Sequence, residues 1–419
     1  MPTALEQRRA QLGLPLPRIA LRRRRRRTQW TCHPSPEQAA GGPASNLRTG
    51  HAVTRLEQLF DEHGQSPWLD NLTRPGLRDG SLSHLAAAGV RGVTANPTIV
   101  AKAIMASDAY DAQFETLVSS GHSVEAAYWH LIVADVVDAL GIFRPIFERD
   151  GGDGFVSIEV SPRCAHDTEA SVTAARALHE GIGQPNLLVK VPATSQGVPA
   201  IETLIGEGHS TNVTLIFSLP RYRQVLEAYL SGLEAFAERG GDLASVHSVA
   251  SFFVSRVDSE VDSRLESLGT DSALELRGQA AVAQARLAYQ MFRDAHSGPR
   301  WTRLAERGAR VQRPLWASTS TKNAEYPDTL YVDSLIGPDT VNTMPESTIE
   351  AFEDHGTIAR TIDTGTAAAA SVMKALGTVG IDMEDVSHTL ERQGIATFEA
   401  SFAEVLHALD AKAHALSGA

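Results

Sequence analysis

The chain has 419 residues, 42% of them hydrophobic, which is enough for one large domain or two ordinary ones with a sizeable core. A formal net charge of −12 argues against a general nucleic-acid or membrane binder. With only two cysteines, Cys32 and Cys164, a disulfide framework is excluded, which suits a reducing cytoplasm. No uninterrupted run of about 18 apolar residues is found, so we predict no membrane-spanning segment.

Residues 1–50 differ in charge from the rest of the chain. They hold ten arginines, six of them consecutive at 22–27, and two acidic residues, whereas residues 51–419 carry a net charge of −20. No apolar stretch follows the arginine run, as a secretory signal would require. Charge repulsion and a Pro/Gly/Ser-rich composition predict a disordered extension. A solvated tail, or upstream sequence before a true start near Val53, is favoured over a basic arm that binds nucleic acid non-specifically.

From residue 53 onward, eight short apolar runs alternate with helix-like stretches. The runs are residues 67–70, 91–94, 155–160, 187–191, 213–217, 248–254, 314–318 and 340–342. Helix-like stretches between them include residues 81–88, 165–181, 198–206 and 220–239. This alternation predicts a parallel sheet, and eight repeats favour a single closed (β/α)8 TIM barrel over residues 51–419. Further helices at 111–147 and 383–416 are expected to decorate the barrel.

Motifs for bound nucleotides and metals are missing from the sequence. No G-x-G-x-x-G follows a strand, and neither a G-x-x-x-x-G-K-[ST] loop nor an H-E-x-x-H motif occurs. Cysteine and histidine residues do not cluster with metal-ligand spacing. The sequence therefore disfavours nucleotide and zinc chemistry.

Lys190 is the most informative single residue. The chain has only five lysines against 33 arginines, and this one interrupts the apolar strand at 187–191. Burying an ammonium is costly unless it is paired or its pKa falls. A neutral amine is what nucleophilic attack on a carbonyl requires. Composition leaves two interpretations equally open: a catalytic amine, or a structural ion pair with Glu159 on the preceding strand.

Two carboxylates, Glu159 and Asp70, complement this amine near the ends of predicted strands. In a barrel, the carboxyl ends of the strands face the active site. Formation of a Schiff base needs a proton shuttle, and cleavage of a carbon–carbon bond needs a base and then an acid, so two carboxylates in different surroundings can divide these tasks. For each one alone, a buried carboxylate with a purely structural role is the more frequent case.

Two cations follow later strands and are candidates for holding a phosphate. They are Arg256, five residues beyond Ser251, and Lys322, which follows the seventh strand. Taken singly, each is more often a solvated surface charge. His209 and His247 also lie near strands, and we interpret both as packed or surface histidines.

Six segments together resemble the transaldolase family. They are GVTANPT at 92–98, VSIEV at 156–160, NLLVKVPAT at 186–194, NVTLIFS at 212–218, SFFVSRVD at 251–258 and VNTMP at 341–345. Ala95 stands where the family usually has a small hydroxyl residue. Each motif is modest alone, but their order and strand positions are specific. The resemblance covers the chain from about residue 53 to the C-terminus and is closest to the long actinobacterial-type members.

The resemblance implies a role for each matching residue. Lys190 would form the Schiff base, Glu159 would act through a water held by Thr214, and Asp70 would be the acid and base of the aldol steps. The residues that would bind substrate are Thr94, Asn96, Ser157, Asn212, Ser251, Arg256 and Lys322. Many members carry arginine where Lys322 stands, and a lysine lacks the bidentate fork of a guanidinium. Weaker phosphate binding is expected from that difference.

The resemblance also implies the reaction, which belongs to the non-oxidative pentose phosphate pathway. A dihydroxyacetone unit would pass from sedoheptulose 7-phosphate to glyceraldehyde 3-phosphate, giving erythrose 4-phosphate and fructose 6-phosphate, with no cofactor. The alternatives are a fructose-6-phosphate-type aldolase and a catalytically silent sugar-phosphate-binding barrel. Sugar phosphates are the expected partners, in the cytoplasm, without nucleic acid or membrane. The sequence leaves the oligomeric state open between monomer and homodimer.

Overall fold

The computed structural model describes residues 53–95 and 97–417. The predicted disordered extension at 1–50 and the predicted site residue Asn96 lie outside this part of the chain. The eight strands are β1 Gln65–Leu69, β2 Gly92–Thr94, β3 Phe155–Glu159, β4 Leu187–Pro192, β5 Thr211–Ile216, β6 Ser248–Phe253, β7 Arg313–Ala317 and β8 Thr340–Met344. They form a closed barrel in chain order, and every neighbouring pair is parallel. The predicted (β/α)8 barrel is therefore confirmed.

Seventeen α-helices occur in the described residues. In the first half of the chain they are α1 Arg55–His63, α2 Arg74–Arg78, α3 Ser81–Ala87, α4 Pro97–Ala106, α5 Asp111–Ser119, α6 Val124–Asp150, α7 Thr168–Ile182 and α8 Gly197–Gly206. In the second half they are α9 Leu219–Glu238, α10 Ser255–Leu268, α11 Asp271–Leu274, α12 Ala280–Ala295, α13 Gly298–Ala305, α14 Leu330–Asp333, α15 Glu346–His355, α16 Thr366–Thr378 and α17 Met383–Ser417. The helix-like stretch predicted at 111–147 is thus two helices, α5 and α6.

Local sequence explains where these elements begin and end. At the start of α1, the Thr54 hydroxyl accepts a hydrogen bond from the Glu57 amide at 3.1 Å, and the Glu57 carboxylate accepts one from the Thr54 amide at 3.0 Å. This reciprocal pair satisfies two amides that the helix itself cannot. The helix ends at Gly64, whose φ of 66° is a left-handed conformation that glycine adopts without strain. The chain then enters β1 directly.

The strands are buried on both faces, as the barrel interior and the surrounding helices require. Every residue of β1, β3, β4, β5, β6 and β8 is buried. At the amino-terminal end of the barrel, the 1%-exposed Asp153 accepts hydrogen bonds from Trp68 Nε1 at 3.0 Å and Arg91 Nε at 2.9 Å. Arg313 also pairs with this carboxylate at 3.3 Å. Two guanidinium groups compensate the buried charge and tie β2 and β7 to this end of the barrel.

Helix α6 is long and apolar enough to cross a membrane by length and composition, with a mean hydropathy of 1.5 over an 18-residue window. This does not contradict the prediction from the sequence, which concerned an uninterrupted apolar run, because Asp135 and Asp138 interrupt the helix. The helix is 67% buried within that window and packs against β3 and α5. A core helix of a globular domain meets the same criterion, so α6 carries no membrane assignment.

The C-terminal helix α17 lies across the end of the barrel where the strands finish. The Thr98 and Ser401 hydroxyls hydrogen-bond at 2.9 Å, which joins α4 to α17. Phe402 packs edge-on against the ring of Tyr128 on α6, with centroids 5.2 Å apart. Near the end of α17, Lys412 pairs with Asp111 of α5. The helix predicted as decoration therefore covers one side of the barrel mouth.

Candidate active site

Residues at the carboxyl ends of seven strands, or just beyond, meet in one cavity of about 180 Å³. The sequence-predicted residues that line it are Asp70, Thr94, Lys190, Thr214, Ser251 and Arg256. In a parallel barrel these strand ends converge on one face, and active sites of this fold occupy that face. The cavity is therefore the candidate active site.

Lys190 and Glu159 form the buried ion pair at the centre of the site. Their Cα atoms are paired in register between β4 and β3, which places both side chains on the same face of the sheet. Lys190 Nζ lies 3.1 Å from Glu159 Oε2, and the two side chains are 7% and 6% exposed. The ammonium also lies 3.4 Å from the Ala95 carbonyl oxygen. Since Nζ borders the cavity, the amine is both sequestered from solvent and open to a ligand.

The carboxyl of Glu159 is held in an environment that favours proton uptake. Burial raises its pKa, the positive charge of Lys190 opposes that rise, and the negative charge of Asp70 adds to it. Burial is the largest of these effects because a charge loses its hydration inside the protein. A carboxyl whose pKa lies above its usual range holds a proton more readily, which suits a group that must donate and accept protons as a shuttle.

Asp70 lies one residue beyond β1 and is fixed by hydrogen bonds from two directions. Its amide donates to the Met344 carbonyl of β8 at 2.8 Å, and its Oδ1 accepts from the Thr94 hydroxyl at 2.8 Å. Thr94 Oγ1 also lies 3.1 Å from the Thr343 hydroxyl. The carboxylate is only half-buried. Two carboxylates in different surroundings thus serve this site: the more accessible Asp70 lines the cavity, and the buried Glu159 lies behind Lys190, outside the cavity lining.

A chain of polar side chains runs across three strands beneath the cavity. Ser251 Oγ donates to Asn212 Oδ1 at 2.7 Å, and Asn212 Nδ2 donates to Ser157 Oγ at 3.0 Å. All three residues are at most 3% exposed. Because both the oxygen and the nitrogen of the Asn212 side-chain amide have a partner, the orientation of this side chain is fixed. Ser251 reaches the cavity directly, whereas Ser157 and Asn212 lie behind it.

Thr214 sits at an irregular point of β5. The register between β5 and β6 shifts between Val213 and Ile216, and Leu215 has a left-handed φ of 59°. A β-branched or large residue in this conformation is strained, and such bulges re-aim neighbouring side chains. The Thr214 hydroxyl is buried, borders the cavity, and has no hydrogen-bond partner among the described residues. It is therefore available to a bound molecule.

Arg256 and Lys322 are the two candidate phosphate ligands, and the structure places them differently. Arg256 lies in the first turn of α10 and lines the cavity. Burial lowers the pKa of its guanidinium, and Asp70 and Glu159 oppose that shift. Lys322 is exposed, donates to Ser320 Oγ at 2.6 Å and lines a neighbouring cavity that holds Asp258. Although the residue as a whole is exposed, loss of hydration around its ammonium and the charge of Arg256 lower the pKa of Lys322, so the two cations are within electrostatic reach of one another.

The cavity also contains residues that sequence reasoning did not single out. They are Thr98, Ile99, Phe253, Ala317, Ser318, Thr343, Thr397 and Phe398. Ser318 has a left-handed φ of 58°, and its hydroxyl lies 2.9 Å from that of Ser255. The position of Ser318 directly after the seventh strand was a usable signal. No sequence signal indicated that Thr397 and Phe398 line the cavity, because they lie on α17, which follows the last barrel strand in sequence.

A metal centre is not formed by the described residues. Across residues 53–95 and 97–417, no group of three or more histidine, cysteine, aspartate or glutamate side chains is arranged to hold an ion. Cys164 is a free, buried thiol, and burial raises its pKa to about 11. The chemistry available at the cavity is that of an amine, two carboxyl groups, several hydroxyls and a guanidinium.

Comparison with known proteins gives one consistent result. The family model described as Transaldolase/Fructose-6-phosphate aldolase matches residues 67–409. A transaldolase of Thermobifida fusca is 51% identical over 354 residues, covering 84% of this chain and 96% of its own length. Transaldolase 1 of Streptomyces avermitilis is 49% identical over 87% of this chain and 97% of its own, and a transaldolase of Mycobacterium tuberculosis is 50% identical over 84% and 95%. The chain belongs to the transaldolase/fructose-6-phosphate aldolase family.

Proposed function

We propose that the chain is a transaldolase that carries a dihydroxyacetone unit on Lys190 from sedoheptulose 7-phosphate to glyceraldehyde 3-phosphate. The products are erythrose 4-phosphate and fructose 6-phosphate. The observation that carries the proposal is the buried amine of Lys190, 3.1 Å from Glu159 and open to a cavity bordered by Asp70. A binding protein has no need for an amine in this setting, since burying it costs free energy.

Formation of the Schiff base uses Lys190, Glu159 and Thr214. The neutral amine adds to the ketone carbon of the donor, and the resulting carbinolamine loses its hydroxyl as water to leave an iminium ion. Glu159 supplies the proton that makes hydroxide leave as water, through a water molecule held by the free Thr214 hydroxyl. The same groups work in reverse when the product imine is hydrolysed.

Cleavage and addition use Asp70. A carbon–carbon bond of the donor breaks in this step, and the carbon on the departing side of that bond becomes the aldehyde of the leaving aldose. The Asp70 carboxylate takes the proton from the hydroxyl on that carbon. The electron pair of that bond passes to the iminium nitrogen, and the aldose leaves. The enamine of dihydroxyacetone then attacks the carbonyl carbon of the acceptor, and Asp70 returns the proton to the new hydroxyl. The hydrogen bond from Thr94 at 2.8 Å orients the carboxylate for both steps.

The remaining residues hold the substrates. Thr94, Asn96, Ser157 and Asn212 are assigned to the donor hydroxyls and the enamine. Arg256 is assigned to the phosphate, with Ser251 beside it and Lys322 at the edge of the site. We place the activity in the cytoplasm, where charged sugar phosphates are retained, and we expect no nucleic-acid or membrane partner.

A product assay tests the proposal against a fructose-6-phosphate-type aldolase, the alternative within the same family. The full chain is supplied with fructose 6-phosphate, and free dihydroxyacetone is measured with and without erythrose 4-phosphate. A transaldolase yields sedoheptulose 7-phosphate only when the acceptor is present and releases little dihydroxyacetone without it. Stoichiometric release of dihydroxyacetone in the absence of an acceptor would establish the aldolase instead. If neither mixture reacted, the chain would be a sugar-phosphate-binding protein without catalytic activity.

A further inference from the structure

A second cavity, of about 420 Å³, opens at the amino-terminal end of the barrel. It is formed by the loops that lead into β4, β5, β6 and β7 and by the end of α6. Cavities of this size suit small organic ligands. The strands between it and the candidate active site are five or six residues long, which places the two sites roughly 20 Å apart. The transfer reaction proposed above does not use this cavity.

His247 lies directly before β6 and lines this cavity. The residue is 7% exposed, and its backbone amide donates to Ser210 Oγ at 3.0 Å. Its ring packs against Phe147 and Phe155, with centroids 5.7 and 4.8 Å away. Within the described residues, neither imidazole nitrogen has a hydrogen-bond partner. The two nitrogens are not among the fully buried polar atoms without a partner, so they are accessible from the cavity and open to a ligand.

Arg310 contributes a positive charge to the same cavity. Its Nε donates to the Ala244 carbonyl at 3.3 Å, and in the part of the chain that the structure describes no carboxylate lies within ion-pair distance of it. Its terminal nitrogens lie over Gly151, at the C-terminal end of α6. The partial negative charge of that helix end holds the guanidinium in place without neutralising it.

The cavity lining matches an anion. Besides Arg310 and His247, its polar side chains are those of His179, Gln184, Ser210 and Ser245, and none of its lining residues is acidic. Asp150, Asp153 and Asp339 line the adjoining cavity that shares Arg310 and His247. A guanidinium surrounded by hydroxyl, amide and imidazole groups presents the several donors that a phosphate can accept. The volume exceeds that of an inorganic ion, which leaves room for an organic group attached to the phosphate.

We propose that this amino-terminal cavity is a second ligand site, in which Arg310 and His247 bind the phosphate group of a small phosphate monoester. Arg310 forms a charge-assisted contact with the phosphate oxygens, and His247 donates a ring N–H to one of them. The site is independent of the Schiff-base chemistry, because no residue of the amino-terminal cavity belongs to the candidate active site.

Calorimetric titration of the full chain with glycerol 3-phosphate tests this site. The probe has no carbonyl group and so forms no imine with Lys190. The titration is done in an Arg256→Ala background, which removes the guanidinium of the candidate active site. One equivalent should bind, and adding Arg310→Ala should weaken binding by about tenfold or more. Arg303→Ala, which removes an exposed arginine of α13 outside this cavity, should leave the affinity unchanged.

His247→Phe supplies a second variant that keeps the ring and its packing but removes both nitrogens. It should weaken binding while the thermal unfolding temperature stays near that of the parent. No binding in the Arg256→Ala background, or unchanged affinity after both Arg310→Ala and His247→Phe, would overturn the proposal. Equal competition by succinate would show a general carboxylate site and would overturn the assignment to phosphate.

Discussion

Lys190 Nζ lies 3.1 Å from Glu159 Oε2 because the two residues are paired in register on adjacent barrel strands. The pair is almost fully buried, so each charge depends on the other. Removing one member of a buried pair costs about 3–5 kcal/mol, since the remaining charge is left uncompensated. This dependence allows the ion pair to be tested apart from catalysis.

Lys190→Met should destabilise the protein in a pH-dependent way. Burial already raises the pKa of Glu159 above its ordinary value of 4.5, and loss of the lysine charge raises it further. A carboxyl with a higher pKa in the folded state takes up a proton on folding, so stability falls as pH rises above 4.5. Denaturant unfolding at pH 5 and pH 8 should show a larger loss at pH 8. Glu159→Gln in the same chain should restore most of it, and a loss equal at both pH values would contradict the pairing.

Thr214→Val should separate catalysis from stability. The hydroxyl is buried without a protein partner, so replacing it by a methyl group of the same shape should leave the free energy of unfolding unchanged or slightly raise it. Turnover should fall by about 10-fold to 100-fold because the water that shuttles the proton loses its anchor. The matched control is Thr203→Val, an exposed hydroxyl on α8 that bonds only the Pro199 carbonyl. Full turnover in Thr214→Val would remove the threonine from the proton path.

Asp70→Asn should block carbon–carbon cleavage while leaving the imine intact. Asparagine keeps an oxygen that can accept the Thr94 hydroxyl, so the fold is maintained. Loss of the base should lower transfer activity by about 10²–10⁴-fold. Mass spectrometry after borohydride treatment should still find fructose 6-phosphate attached to the protein. Transfer at the normal rate would show that another group carries the proton.

The two cations at the mouth of the barrel should differ in importance. Arg256 lines the cavity, whereas Lys322 is exposed and bonded to Ser320, so Arg256→Ala should raise the Michaelis constants of phosphorylated substrates about tenfold more than Lys322→Ala. Lys322→Arg should lower those constants, because it supplies a bidentate fork. The reverse order of the two alanine effects would place the phosphate on Lys322.

Much of the fold followed from local patterns. All eight strands lie at the predicted runs, because each is a short apolar stretch bounded by turns, and helices begin at residues such as Thr54 whose side chains cap them. A polar residue inside an apolar strand, as at Lys190, was a strong signal since burial there needs a reason. The functional roles assigned to these residues stay predictions.

Other features depend on contacts between distant parts of the chain. The left-handed backbone at Leu215 arises where β5 meets β6 out of register, which no local pattern shows. Phe398 lines the candidate active-site cavity only because α17 packs across the carboxyl end of the barrel, which is a contact between distant parts of the chain. The prediction for His247 as a packed histidine captured its contacts with phenylalanine rings but not the free ring nitrogens that face a cavity.

Borohydride trapping followed by peptide mass spectrometry tests the central claim most directly. The full chain is incubated with fructose 6-phosphate, reduced and digested, and Arg221→Lys, which puts a lysine outside the cavity, serves as a control for non-specific labelling. The mass of a reduced dihydroxyacetone or fructose 6-phosphate adduct should appear on Lys190, and Lys190→Met should abolish both label and turnover. A label on another lysine, or turnover that survives Lys190→Met, would contradict the assignment of Lys190 as the nucleophile.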